Sequence, residues 1–217
     1  MRYDTANSEN LRNKKIYIID FLDSVCYNKS IIIRSYAKYK NNSKLANSRK
    51  SIDKRRKIME ATVILNLCQY SVKMRCLLAE ETTDASILTV LVNDDDWQVR
   101  YNVAENSNTL QSDLTKLAED KNYQVRYATA SNSNILQDDL SKLAKDKFSY
   151  VRCSVAKNSK ILESDLTKLA EDEDYKVRYA VALNSKTSET NLIKLLEDEN
   201  EFVRWAAKDS LKAHTSK

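Results

Sequence analysis

The 217-residue chain contains no glycine and no proline, and its single histidine is His214. Average usage of about 7% Gly and about 5% Pro would supply many of both. Sites that require glycine are therefore excluded: the phosphate-binding loop GxxxxGK[ST], the GxGxxG dinucleotide turn and the GxSxG nucleophile elbow. One histidine also leaves no set of histidines for zinc and no base for a nucleophile pair. No catalytic residue and no metal site are predicted.

Long apolar runs are absent too. The first apolar stretch, residues 16–22, is short and is interrupted by Asp20, so we expect neither a signal peptide nor a membrane span. The four cysteines show no CxxC spacing, and they are Cys26, Cys68, Cys76 and Cys153. Because this is not the pattern of a disulfide scaffold, a reducing, cytoplasmic location is expected. Without either helix breaker, the chain is expected to be almost entirely helical.

A Val-Arg pair recurs every 26 residues, at Val99, Val125, Val151, Val177 and Val203. The unit that begins at Val125 reads VRYATASNSNILQDDLSKLAKDKFSY, and its two neighbours match it without a gap. Fixed periods of about 20–50 residues indicate stacked units that bury apolar surface only against each other. With a degenerate copy around Met74-Arg75, the period predicts a solenoid over residues 72–217 and a separate basic helical cap over residues 1–71.

Each unit contains two short apolar patterns with helical spacing, for example Leu114 with Leu117 and Val99 with Val103. We expect the recurring Asn, at positions 106, 132, 158 and 184, to end the second helix in a left-handed conformation. Thr109 and the equivalent Thr187 are expected to cap the next helix, whereas the isoleucines at that position in the other units cannot.

An aspartate also precedes each Val-Arg arginine by six residues, at Asp94, Asp120, Asp146, Asp172 and Asp198. One interpretation is a row of arginines that binds phosphates. The other is a structural ladder, in which each Asp accepts hydrogen bonds from turn amides and from an arginine of its own or the adjacent repeat. We favour the ladder, because an arginine always accompanied by an aspartate at fixed distance is neutralised and oriented.

The string D-x5-VR-xx-[VA]-A-x-N-S-x-[TI]-L-x-x-D-L-x-x-LA-x-D resembles the leucine-rich repeat variant, a relative of HEAT-type solenoids. The resemblance covers about two thirds of the chain. It implies an all-α, right-handed α-solenoid of short paired helices, some of them 3-10 helices. Where that family usually carries prolines, this chain has Ser107, Leu110, Ser133, Leu136 and Ser159, so less rigid turns are expected.

Some members of that family hold an iron–sulfur cluster ahead of the repeats. Here that region offers only Cys26, Cys68 and Cys76, without a fourth ligand or the tight spacing of a cluster motif. No cluster and no other cofactor is therefore expected.

Aromatic residues form two columns at the repeat spacing. The position after the arginine holds Tyr101, Tyr127, Cys153, Tyr179 and Trp205, and a second column holds Trp97, Tyr123 and Tyr175. These rings either pack between repeats or form a surface that binds a protein partner, since Tyr and Trp are frequent in interface hot spots.

The charge is divided unevenly along the chain. Residues 1–80 have 17 Lys and Arg against 7 Asp and Glu, whereas residues 81–217 have 19 against 24. A basic segment holds the candidates for nucleic-acid binding: Arg34, Tyr36, Lys38, Tyr39, Lys40, Lys44, Arg49, Lys50, Lys54, Arg55, Arg56 and Lys57. Cationic groups displace counterions from phosphates and tyrosines stack on bases, but a solvated charge run explains the segment equally well.

Three function classes follow. The expected one is a non-catalytic repeat scaffold that binds a protein partner through a solenoid face. The alternative is a DNA- or RNA-binding protein that uses the basic segment. The third, an enzyme similar to the HEAT-like DNA glycosylases, is disfavoured because acidic repeats repel a phosphate backbone. No small-molecule substrate is indicated.

Overall fold

The computed structural model describes residues 71–215, with side chains to residue 213. The chain divides into a unit of Met1–Met59 and a unit of Glu60–Lys217, and the described residues belong to the second. Residues 1–70 of the predicted N-terminal cap lie outside the described residues.

Eleven α-helices and no strands form the described range. The longer ones are α1 (Val72–Glu81), α3 (Trp97–Glu105), α5 (Tyr123–Ser131), α7 (Ser149–Lys157), α9 (Tyr175–Leu183) and α11 (Glu201–Thr215). The seven-residue ones are α2 (Ala85–Leu91), α4 (Gln111–Leu117), α6 (Gln137–Leu143), α8 (Glu163–Leu169) and α10 (Glu189–Leu195). None of these eleven is a 3-10 helix.

The helices pack in two layers. The longer helices contact each other in series from α1 to α11, and each short helix packs against the longer helices before and after it. Val99, Val103, Leu114 and Leu117, which set the predicted apolar stripes, are buried between the layers. Since each unit buries its apolar face only against its neighbours, the all-α solenoid predicted from the repeat is confirmed.

The arginines and aspartates form the predicted ladder. Arg100 donates from Nε and Nη2 to the carboxylate of Asp120 in the next repeat, at 2.5 and 3.0 Å. Its Nη1 donates to the carbonyl of Asp94 in its own repeat, at 2.6 Å. Asp120 also accepts from the amide of Asn122 in its own turn. The same pairing joins Arg75 to Asp94, Arg126 to Asp146, Arg152 to Asp172 and Arg178 to Asp198.

This pairing shifts the ionisation of both partners. Burial alone would raise the pKa of Asp146, but the hydrogen bonds from Arg126 and from the Phe148 amide outweigh it and lower that pKa. The hydrogen bonds that Arg126 donates to Asp146 raise the pKa of Arg126. The carboxylate and the guanidinium thus stabilise each other's charged form.

The recurring asparagines end the longer helices, but not in the predicted conformation. Asn106 has φ −70° and ψ 125°, and no described residue has a positive φ. The left-handed prediction is wrong because the side chain has another role. Asn132 donates to the carbonyls of Ala104 and Asn106 in the preceding repeat, at 2.7 and 3.1 Å, and accepts from the Asn134 amide. Asn158 and Asn184 repeat this pattern one and two units further on.

The prediction for the threonines is also wrong. Thr109 and Thr187 are buried and donate to the carbonyls of Val103 and Val181, six residues earlier. They therefore close the turn that leaves the longer helix, and Leu110 at the N-cap of α4 makes no side-chain capping bond.

The asparagine–carbonyl bonds form a second ladder between repeats. A third ladder, not predicted from the sequence, joins the short helices. Thr89 donates its hydroxyl to the buried carboxylate of Asp113, 24 residues later, at 2.6 Å. The equivalent bonds run from Thr115 to Asp139 and from Ser141 to Asp165. The series ends at Asn191, which donates to Thr167 instead. Each repeat is thus tied to the next at three separate positions.

Candidate functional site

A groove of about 850 Å³ opens on the layer of longer helices. Five aromatic residues line it: Trp97, Tyr101, Tyr123, Tyr127 and Tyr150. The remaining lining consists of Val72, Lys73, Cys76, Gln98, Asn102 and Gln124. Four of the seven predicted partner-binding aromatics are therefore brought together here.

The repeat itself places these rings. Val99 and Val125 are fully buried, which fixes the rotation of α3 and α5 about their axes. Trp97 and Tyr101 are four residues apart and so lie one turn apart on the same face of α3. Tyr123 and Tyr127 occupy the equivalent positions on α5, one repeat later.

The rings contact each other and still face solvent. Trp97 and Tyr101 meet edge to face, with centroids 6.5 Å apart and an interplanar angle of 84°. Trp97, Tyr101 and Tyr123 are half-buried, and Tyr127 is 38% exposed. The rings around the groove are thus partly packed and partly exposed, and the partner-binding interpretation stays a prediction.

Tyr101 is fixed by its hydroxyl, which donates to the carboxylate of Glu105 at 2.6 Å. Burial and this hydrogen bond raise the pKa of Tyr101 to about 12. The phenol is therefore neutral across the physiological range, and it acts as a donor rather than as an anion.

Cys76 forms part of the groove wall, at the position that Tyr101 occupies one repeat later. Burial, and after it the nearby carboxylate of Asp96, raise the pKa of the Cys76 thiol. Burial also raises the pKa of Cys153, two repeats beyond Tyr101. Both thiols are thus protonated near neutral pH, whereas a nucleophilic cysteine needs the thiolate.

The other three predicted partner-binding residues lie outside the groove lining. Tyr175 is 39% exposed, Tyr179 is half-buried, and Trp205 is 60% exposed. In the first column Cys153 stands between Tyr127 and Tyr179, and in the second Ser149 stands between Tyr123 and Tyr175.

Two aromatic residues near the groove were not predicted. Tyr150 takes the position of Gln98 and Gln124, and Phe148 takes an N-cap position that holds Asp or Asn in the other repeats. Phe148 stacks on Tyr123, with centroids 4.6 Å apart and an interplanar angle of 24°. The signal in the sequence was the break in the repeat pattern at these two positions.

The nucleic-acid candidates from Arg34 to Lys57 lie outside the described residues. Within the described range, no cluster of three His, Cys, Asp or Glu residues is arranged to hold a metal ion. No helix between residues 71 and 215 has the length and apolar character needed to cross a membrane.

No family model matches the sequence, and no curated protein matches it. Among solved structures, the chain is similar to "a leucine-rich repeat variant with a novel repetitive protein structural motif", with 19% identity and a TM-score of 0.38, over 76% of this chain and 88% of that one. It is also similar to a designed armadillo repeat protein, with 18% identity and a TM-score of 0.43, over 70% of this chain and 98% of that one. The first of these structures is a member of the family that the repeat motif resembles.

Proposed function

We propose that this protein is a non-catalytic repeat scaffold that binds another protein in the aromatic groove. The observation that carries the proposal is the partial exposure of five aromatic rings around one groove. The arginines, asparagines and hydroxyl residues that recur most regularly bond between repeats, whereas the rings around the groove are partly exposed and are gathered in one place.

The chemistry of the lining supports a protein as the partner. Tyrosine and tryptophan give large contact areas at low conformational cost and are enriched in binding hot spots. The side chains of Gln98 and Gln124 add amide groups that donate to and accept from a polypeptide backbone. A groove with both apolar rings and polar groups suits a peptide segment.

The thiol and the phenols that line the groove do not favour a catalytic role. The one thiol, Cys76, has a raised pKa, and the one phenol with a strongly shifted pKa, Tyr101, is held neutral. The nucleic-acid alternative concerns Arg34 to Lys57 and stays a prediction.

Site-specific photocrosslinking tests the proposal. A benzoylphenylalanine in place of Tyr127 is expected to give a discrete protein adduct when the full chain is irradiated in its native cells. The matched control is the same substitution at Leu162, since Tyr127 and Leu162 are each 38% exposed and Leu162 precedes a short helix. The Leu162 variant should give no such adduct.

A Tyr101→Ala variant serves as competitor in the same experiment. Wild-type protein added in excess should suppress the adduct, and the Tyr101→Ala protein should not. Equal adducts from the Tyr127 and Leu162 positions, or equal suppression by both competitors, would show that the groove is not the interaction site.

A further inference from the structure

The negative charge of the solenoid is concentrated in the repeats that carry Trp97 and Tyr101. Residues 72–122 contain 5 Lys and Arg against 10 Asp and Glu, a net charge of −5, whereas residues 123–217 contain 16 against 15. Two of the five cations, Arg75 and Arg100, are paired with Asp94 and Asp120 in the ladder. The repeats that carry Trp97 and Tyr101 are therefore the acidic part of the array.

Carboxylates lie in the turn that leads into Trp97. Asp95 is exposed, and Asp96 is half-buried and caps α3 through the Gln98 amide at 2.8 Å. Asp96 directly precedes Trp97, which lines the groove, and its carboxylate also contributes to the raised pKa of Cys76 in the groove wall. The cation in the lining itself is Lys73, which belongs to α1.

The protein already places cations on aromatic rings at the other end of the groove. The Lys176 ammonium lies 5.6 Å from the centroid of Tyr150, and the Lys147 ammonium lies 5.2 Å from that of Phe148. Within residues 71–213, no lysine or arginine occupies the faces of Trp97, Tyr101, Tyr123 or Tyr127. The rings without a cation are thus the ones beside the acidic repeats.

We propose that the groove binds a basic segment of a partner protein, with an arginine side chain against the rings between Trp97 and Tyr127 and its charge facing Asp95 and Asp96. This inference rests on the proposed function and names the chemistry of the partner. An arginine fits better than a lysine, because its planar guanidinium stacks on aromatic faces and also donates to amide oxygens such as that of Gln98 or Gln124.

The same charges disfavour other occupants. A phosphate backbone would be repelled by the net charge of residues 72–122. A purely apolar segment would leave the side-chain amides of Gln98, Asn102 and Gln124 without new hydrogen-bond partners, which costs free energy on burial.

Tryptophan fluorescence provides a direct readout. The chain has two tryptophans, so a Trp205→Phe variant of the full chain leaves Trp97 as the only reporter, and it lies in the groove. The probes are acetylated and amidated hexapeptides of arginine, lysine, citrulline and glutamate. At about 50 mM salt, where screening is weak, hexa-arginine should change the Trp97 emission and saturate.

Hexa-citrulline is the decisive comparison, since it keeps the shape and hydrogen bonding of arginine but is neutral. We expect it to bind at least about tenfold more weakly, and hexa-lysine to lie between the two. Hexa-glutamate should give no saturable change.

We call Asp95 and Asp96 the acidic rim. Its contribution to binding is tested with a variant that combines Asp95→Asn and Asp96→Asn. Asparagine caps α5 at the position equivalent to Asp96, so this variant removes charge and retains the cap. We expect Kd for hexa-arginine to rise about tenfold, since each unit charge of a partly exposed pair contributes modestly. The control, Glu189→Gln with Glu197→Gln, removes two exposed charges remote from the groove and should leave Kd within about twofold.

Equal binding of hexa-arginine and hexa-citrulline, or equal effects of the rim and control variants, would overturn the proposal. So would tighter hexa-arginine binding after Lys54, Arg55, Arg56 and Lys57 are changed to Ala, because that would show the chain's own basic segment to be the occupant. If the Tyr127 crosslink persists while arginine selectivity fails, the scaffold function stands and only the basic partner is lost. If both fail, the groove is not a binding site.

Discussion

At the scale of single residues, the most regular positions of the sequence are the ones that hold repeats together. Each ladder arginine links three points: the carbonyl of the turn before it, its own helix, and the carboxylate of the next turn. Bidentate pairing to a largely buried carboxylate is strong and geometrically specific. The regularity of the Val-Arg motif therefore reflects its structural role.

Comparing Arg178 with Arg204 measures what the carboxylate contact and the burial of the arginine contribute together. Both donate from Nη1 to two turn carbonyls, but only Arg178 also reaches carboxylates, those of Asp198 and Glu199. Arg178→Ala should lower the free energy of unfolding by about 3 kcal/mol, because it leaves a buried carboxylate without its partner. Arg204→Ala should cost about 1 kcal/mol or less. Urea denaturation compares them, and equal losses would show that the carboxylate contributes nothing.

The same carboxylates predict how stability depends on pH. The pKa values of Asp146 and Asp198 are lowered because their bonds to arginine and to turn amides outweigh burial, and that of Asp174 is lowered by its bonds with Ser149 and the Lys176 amide. The unfolded chain then binds more protons than the folded one near pH 4, so this stability is present above about pH 4 and is lost below it.

Asp198→Asn isolates one of these groups. The variant should be less stable than wild type at pH 7, and the difference should shrink as pH falls through the folded pKa of Asp198. Urea midpoints between pH 7 and pH 3 measure it. A difference that is constant or grows toward acid would contradict the lowered pKa.

The asparagines show where prediction from sequence stops at this scale. Their recurrence at the helix end was visible, and a local argument assigned them a left-handed backbone. Their actual partners, such as Ala104 and Asn106 for Asn132, lie 28 and 26 residues away. Which carbonyls face an asparagine depends on how repeats stack, and local sequence rules do not contain that information.

At the scale of the helix, the N-caps of α3, α5, α7 and α9 follow one rule with one exception. Asp96, Asn122 and Asp174 each accept from the amide two residues later, whereas Phe148 makes no capping bond. An aromatic residue at an N-cap costs about 1 kcal/mol relative to Asn. Its stacking on Tyr123 offsets part of that cost. At this position a ring contact with a groove residue replaces the capping hydrogen bond.

Phe148→Asn should therefore change the free energy of unfolding by less than about 1 kcal/mol, since the gained cap offsets the lost stacking. The reverse change, Asn122→Phe, should destabilise by about 1 kcal/mol or more because it removes a cap. Thermal denaturation followed by circular dichroism measures both. Equal destabilisation by the two variants would show that α7 gains nothing from a cap.

Helix positions were predictable because their signal is local. The apolar spacing of Leu114 and Leu117 located the short helices, and Val99 and Val103 located the longer ones. The groove was predictable only in part. The aromatic columns indicated Trp97, Tyr101, Tyr123 and Tyr127, but the sequence did not show how far their side chains are exposed to solvent. Tyr150 and Phe148 were not predicted because they depart from the repeat pattern, and a consensus taken over all repeats does not show such positions.

At the scale of the whole array, the three ladders share one period among the regular repeats, so each contact there spans a fixed distance along the chain. In the degenerate first copy the arginine contact spans one residue less, from Arg75 to Asp94. Arginine reaches the aspartate 20 residues later, asparagine reaches carbonyls 28 and 26 residues earlier, and hydroxyls reach acids 24 residues later. A repeat array of this kind is stabilised by nearest-neighbour contacts.

Deleting residues 127–152, one period of 26, should therefore give a folded protein. Arg126 then lies 20 residues before Asp172, Asn158 lies 28 residues after Ala104, and Thr115 lies 24 residues before Asp165, as in the intact ladders. The helical signal per residue in circular dichroism should be unchanged, and the urea m-value should fall with the smaller buried surface. Deleting half a period, residues 127–139, breaks all three spacings and should abolish cooperative unfolding. If the half-period deletion unfolds as cooperatively as the full one, the ladders do not set the register of the stack.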